Sequence, residues 1–446
     1  ASSQFFDKKN YGFETQLPDG ENNNVSLLGM PAENDWILHG PYSDKSLIRN
    51  ALTMQIGRDM MDYASRTKFC EVVINGNYRG VYLLMEKIKR DENRVDIATL
   101  RPADTAGDEL TGGYIFQLDR DDEITEDDGW YSPHGSNPYY AYHSPNYRQL
   151  MPVQRQYMEN WMTNFEQAML QPTFSITYEN YIDVNSFIDY FLINELAKHI
   201  DAFKLSFYMY KQKDSNGGKL HFGPIWDFNL GYGNFDFGCD EAANGWIYLC
   251  TSRAFWLNKI IGISSVRDRM HCRWQTLRQD ELNTNTLLNR IDSLVTELGP
   301  AVEQNFTQFD VLGQYLWPNS FVGNTHTEEI DFLKSWLIQR LNWMDNNMYG
   351  NPNFDCDELV SVNELPLAQQ LEVYPNPFKN QITFSLKNES VNDGEVLIFN
   401  TLGHLVTRFE LSQKQTLNQQ SLPTGLYFYE YRRGKQLVQQ GKLVKQ

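Results

Sequence analysis

The sequence predicts a mixed α/β (α+β) body followed by a small all-β sandwich, on the strength of three observations. Short alternating apolar and polar runs, broken by turn signals, fill roughly the first 120 residues. Helical spacing of apolar residues then dominates between residues 154 and 348. At Gly350 the composition shifts, and from Val373 onward short strand-like runs and turns recur. The chain thus divides into a body over 1–350, a linker over 351–372 with two prolines and no periodicity, and a sandwich over 373–446.

Composition narrows the function classes. At 446 residues more than one compact unit is expected. Hydrophobic residues at 41% and charged residues at 22% mark a globular chain. A net charge of −18 argues against a nucleic-acid partner, which would need clustered Lys and Arg. No run of about 18 apolar residues occurs, so no transmembrane segment is expected. The opening Ala1-Ser2-Ser3 has neither an initiator Met nor a charged-then-apolar leader, and reads as a mature or trimmed form. The five cysteines contain no CxxC pair, which argues against zinc. Cys239 and Cys250 flank a short loop; they either bridge in an oxidising compartment or stay thiols, and an odd count leaves one cysteine unpaired.

Taken in order, KKNYGFETQLPDG alternates around Tyr11 and Phe13 and meets a Pro-Asp-Gly turn, which predicts a hairpin. Lys8 and Lys9 head its first strand, and strand alternation lets at most one of them face a cleft. Residues 35–38 read as a short strand, and Asp44 as the N-cap of a helix running to about Tyr63. Arg49 falls off the apolar stripe of that helix, either solvated or turned to a cleft. Strands over 69–74 and 80–85 are joined by Asn75-Gly76, a strong two-residue hairpin signal. The second ends in Glu86-Lys87, where a two-lobed nucleotide-binding fold would pass its connecting segment beside the base. Residues 112–119 form another alternating strand. The acidic loop 121–128 lacks the ligand register and central glycine of a calcium loop. Helices are expected over 154–170, 183–200, 254–279, 286–298 and 327–348, with Asp183 as an N-cap and Thr325 with Glu328 as a capping box. Trp336 and Trp343 of the last helix read as core anchors.

The stretch 191–234 carries the chemistry. An apolar helix ends in Asp201, a strand over 205–210 follows, and a turn over 214–218 leads to a second strand that delivers Asp227. A hairpin therefore brings two carboxylates together at the ends of regular elements. Metal-assisted phosphoryl transfer needs such a pair: one carboxylate orients or deprotonates an acceptor hydroxyl, and the other holds Mg²⁺ on the phosphates. The plainer alternatives are a turn residue for Asp201 and a strand-end Asx-turn for Asp227.

Five segments in register, KKNYGFE, DWIL with YSDKSLIRN, INGNYRGVYLLMEKI, GGYIFQLD and the Asp201…IWDFN pair, resemble the CotH kinase family of atypical secreted kinases. The resemblance implies a two-lobed atypical kinase-like fold that binds ATP with Mg²⁺, with Asp201 catalytic and Asp227 on the metal. It further implies Asn229 or Ser206 as a second metal ligand. Lys8 or Lys9, Arg49 and Lys204 would lie on the phosphates, and Glu86 beside the base. Ser206 stands where an ordinary kinase carries Asn, and Lys204 lies three residues after Asp201 rather than two. Asn229, not Gly, follows Asp227-Phe228. Relatives generally carry an Arg-Gly-x-Ser-Ser-like element where this chain opens, so the N-terminus reads as clipped.

The C-terminal run is similar to the type A sorting domain of the type IX secretion system, on VYPNPFKNQITFSL, the Leu402-Gly403 turn, PTGLYFYEYRR and the Lys-rich end. That implies export across the outer membrane to the surface or the medium, usually with removal of the tail. The reading is a secreted or surface kinase moving the ATP γ-phosphate to a protein hydroxyl, with Mg²⁺. Its partners would be the nucleotide, a secreted or surface acceptor protein and the type IX machinery. The alternative is a catalytically impaired CotH-like surface binding or adhesion module; a carboxylate-pair hydrolase rests on composition alone.

Overall fold

The computed structural model describes residues 6–119, 128–135, 138–250, 255–356, 371–386, 394–400, 405–418, 422–433 and 436–446. The acidic loop 121–128 lies outside them except for Asp128. Two compact units form, Ala1–Phe354 and Asp355–Gln446.

The first unit opens with a four-stranded antiparallel sheet made of β1 (Tyr11–Glu14), β2 (Asp35–His39), β3 (Thr67–Ile74) and β4 (Asn77–Glu86), in the order β1-β2-β4-β3. Asn75 and Gly76, at φ 52° and 78°, form the tight turn between β3 and β4 that their residue types demand. The Pro-Asp-Gly turn does not make the expected hairpin. It closes one isolated bridge, Gln16 to Asn22, while β1 pairs with β2 along its whole length. β2 offers the longer apolar edge, and the short polar run after the turn offers none.

Helix α1 (Arg49–Met60) starts four residues later than the Asp44 cap predicts. Leu47 takes φ 64°, and the Asp44 carboxylate reaches across that turn to accept the Ser46 and Arg49 amides. The cap thus acts at a distance. Arg49 is neither solvated nor open: it is 1% exposed and paired with Asp44 at 2.5 Å.

The second sheet is five-stranded and antiparallel, in the order β6-β7-β5-β8-β9. Its strands are β5 (Tyr114–Leu118), β6 (Gly129–Tyr131), β7 (Tyr139–Ser144), β8 (Phe207–Lys211) and β9 (Leu220–Phe222). The same unit holds α2 (Pro152–Met169), the single turn α3 (Phe174–Thr177), α4 (Val184–Ala197), α5 (Phe255–Ile261), α6 (Ser264–Gln279), α7 (Thr284–Leu298), α8 (Ala301–Gln308), which packs against β4 of the first sheet, and α9 (His326–Asn347). The helix expected over 254–279 divides at Gly262, where Ile263 is extended before α6. The short helix α8 was not foreseen. Asp183 and Thr325 cap α4 and α9 as their residue types predict. Trp336 is buried and Trp343 packs against the same core.

The second unit pairs a three-stranded sheet with a four-stranded one around Phe384, Val396 and Tyr431. The first holds β10 (Leu371–Tyr374), β11 (Gln381–Leu386) and β14 (Lys414–Asn418). The second holds β12 (Gly394–Asn400), β13 (Leu405–Leu411), β15 (Gly425–Arg433) and β16 (Gln436–Lys445). Cys239 bridges Cys250, Cys272 and Cys356 are also disulfide-bonded, and Cys70 is a free thiol. Among the described residues no helix is long and apolar enough to cross a membrane.

Candidate active site at the end of the five-stranded sheet

α4 is buried along nearly its whole length and stops at Lys198, which takes a left-handed conformation. The Lys198 ammonium donates to the carbonyls of Asp240, Ala242 and Asn244 and so anchors the end of the helix. The chain then winds through a turn in which Leu205 N–H donates to Asp201 O, with Phe203 and Ser206 at positive φ. Asp201 therefore lies beyond the helix end, not on it. From there β8 runs out and β9 returns, pairing Met209 with Phe222. Asp227 follows in a left-handed conformation, φ 61° and ψ 60°.

The two turns are tied together by ring packing. His199, two residues before Asp201, stacks on Phe228, one residue after Asp227, with centroids 4.6 Å apart. A third carboxylate joins them from a distant part of the chain. β5 runs antiparallel to β8 with Leu118 opposite Phe207, so Asp119 emerges at the same sheet end as Ser206. Sequence reasoning missed Asp119 and His199. The strand GGYIFQLD ends in the first, and the His-x-Asp spacing precedes the catalytic candidate.

Electrostatics bind the cluster into a unit. Asp227 keeps access to solvent, yet protein crowds its carboxyl and pushes its pKa up to about 7; the negative charges of Asp201 and Asp119 add to that burial effect. The Tyr208 hydroxyl is raised by burial first and then by Asp119 and Asp227. Lys204 holds its ammonium 4.0 Å from Asp201. Among the described residues no three His, Cys, Asp or Glu stand together as a ready metal cage. The donor set nevertheless fits a hard divalent cation. Asp227 lies among like charges that a cation would relieve, and a site of one or two carboxylates with amide or hydroxyl oxygen is what Mg²⁺ accepts.

The structure brings Asp201, Lys204, Ser206, Asp227 and Asn229 to one end of the β8–β9 hairpin. The Asn229 carbonyl accepts from Asn234, and its side chain is half-buried. The other candidates lie in different settings. Lys8 turns inward and donates to Asn305 Oδ1 at 2.7 Å, whereas Lys9 is exposed. Glu86 is fully buried and accepts from Arg66 at 3.0 Å and from Tyr63 at 3.2 Å. Arg49 precedes Asn50, whose Oδ1 accepts the Phe228 amide, so α1 reaches the Asp227 turn through its second residue.

A mixed helix-and-sheet body joined to a separate β-sandwich defines the class of protein. Residues 1–344 match the family model of the CotH kinase protein, far more than half of the chain, and the chain belongs to that family. Residues 372–446 match the secretion system C-terminal sorting domain. The tail marks the chain for type IX export to the cell surface or beyond. No curated protein matches the chain.

Proposed function

We propose that this protein is a secreted or surface kinase that transfers the ATP γ-phosphate to a protein hydroxyl. One observation carries the reading: the pairing of β8 with both β5 and β9 puts Asp119, Asp201 and Asp227 at one sheet end, beside Lys204. The four-stranded sheet and the helical body would then serve as the two lobes of an atypical kinase.

In this reading Asp227 would hold Mg²⁺, with the Asn229 amide or the Ser206 hydroxyl as a second ligand. The bound ion would neutralise charge on the phosphates. Asp201 accepts or orients the proton of the acceptor hydroxyl. Lys204 stays close to Asp201 and would offer positive charge to the transferring group. Lys8, or Lys9 from the exposed side, and Arg49 would meet the nucleotide phosphates only if their present partners yield. Glu86 would serve the base side through its strand rather than through its carboxylate, which is already committed.

Ser206 in place of an amide favours a second reading, a CotH-like surface binding module without turnover. Thermal shift with ATP, with and without Mg²⁺, together with autophosphorylation separates the two. Metal-dependent stabilisation with transfer supports the kinase. No nucleotide effect and no transfer would leave the binding module.

A further inference from the structure

Asp227 occupies a left-handed backbone conformation that is strained for a non-glycine residue, and something must hold it there. The Phe228 ring is held by His199, but a ring stack does not determine the preceding peptide plane. The Phe228 amide does. It donates to Asn50 Oδ1 at 2.6 Å, in a setting where Asn50 is 4% exposed.

The other end of the same side chain is also committed. Asn50 Nδ2 lies 2.9 Å from His39 Nε2. A backbone N–H can only donate, so Oδ1 must face Phe228 and Nδ2 must face the imidazole. His39 Nε2 is then the acceptor, and the ring proton sits on Nδ1. One buried amide thus links β2, α1 and the peptide immediately after Asp227, and flipping it would set donor against donor at Phe228 and acceptor against acceptor at His39.

We propose that Asn50 is a positioning residue for Asp227. Resting on the phosphoryl-transfer reading, it acts through the Phe228 amide to keep the Asp227 carboxylate aimed at the metal position, while His39 keeps the amide from flipping.

The test measures ATP affinity with and without Mg²⁺, alongside hydrogen exchange at the Phe228 amide, in the full chain. A general structural role would lower thermal stability and leave the Mg²⁺-dependent increment in affinity intact. Asn50→Ala is expected to lose at least tenfold of that increment, keep metal-free binding, and speed Phe228 exchange at least tenfold. Asn50→Asp retains an acceptor for Phe228 and should lose less than threefold. His39→Leu should behave as a weaker Asn50→Ala, and His39→Gln, which retains an acceptor for Nδ2, should lie near the wild type. That pair decides the matter should Asn50→Ala fail to fold. If the wild type shows a Mg²⁺ increment that Asn50→Ala or His39→Leu keeps in full, the positioning role is overturned and the kinase reading stands. A wild type without any increment would overturn the phosphoryl-transfer reading instead, and the proposal with it.

Discussion

Lys8 is 2% exposed, and its ammonium meets an amide oxygen and the faces of Tyr82 and Phe309. Burial lowers its pKa from 10.5 to about 7, although the rings and the amide oppose that shift. Between pH 7 and 10.5 the unfolded chain binds a proton that the folded chain lacks, so stability rises with pH across that window. Chemical denaturation at pH 7 and pH 10 should show a gain of up to about 4 kcal/mol attributable to this group. Lys8→Met should abolish that gain and be the more stable chain at pH 7. A slope unchanged by the substitution would show that the lysine stays charged. At the site itself, Asp201→Asn should reduce phosphoryl transfer by about 10²–10⁴-fold while nucleotide affinity stays near that of the wild type. On the kinase reading Asp227→Asn should lose both, because loss of the proposed metal ligand would remove ground-state binding as well. Undiminished Mg²⁺-dependent binding in Asp227→Asn would take Asp227 out of the site.

At the scale of elements, the turn that carries Asp201 depends on how α4 ends. Glu195 and Arg340 form an ion pair with both side chains 0% exposed, and Glu195 also accepts the Ile247 and Tyr248 amides. Arg340 donates onward to Ala243 and Gly245, as Lys198 does to Asp240, Ala242 and Asn244. Two cations thus gather the carbonyls of 240–245 against α4 and α9. Removing one partner strands a buried charge, so Arg340→Leu should cost about 3–5 kcal/mol in urea unfolding. The double change Glu195→Leu with Arg340→Leu should cost less than the two single changes summed. The Asp183 cap is a smaller term. Asp183→Ala should lose about 1 kcal/mol without altering nucleotide binding.

Across the whole molecule, the two compact units each bury a separate core. Calorimetry of the full chain should therefore show two transitions. Reduction should lower the one belonging to the first unit, where Cys239–Cys250 closes a short loop worth about 2–3 kcal/mol. A single transition insensitive to reductant would contradict both expectations. The disulfides accord with a chain exported to an oxidising exterior.

Local chemistry made much of this legible in the sequence. Asn75-Gly76 dictates a turn, Asp183 and Thr325 dictate helix starts, and Asp201 and Asp227 stand out because they close elements joined by a short hairpin. The C-terminal sandwich was legible from its strand and turn pattern, and its likeness to a sorting domain from motifs such as the Tyr-Pro-Asn-Pro opening. Pairing across the chain was not. Asp119 joins the site because β5 lies beside β8, two strands separated by nearly 90 residues, and alternation within a strand says nothing about which strand will be its neighbour. Lys8 meets Asn305 across 297 residues, through a short helix with too few apolar positions to announce itself. Asp44 caps α1 from beyond a left-handed turn that no spacing rule anticipates. Residue type and short spacing thus determined the turns, the caps and the two principal carboxylates. Long-range packing alone decided which charges lie together, because burial and neighbouring charge arise only when distant segments meet.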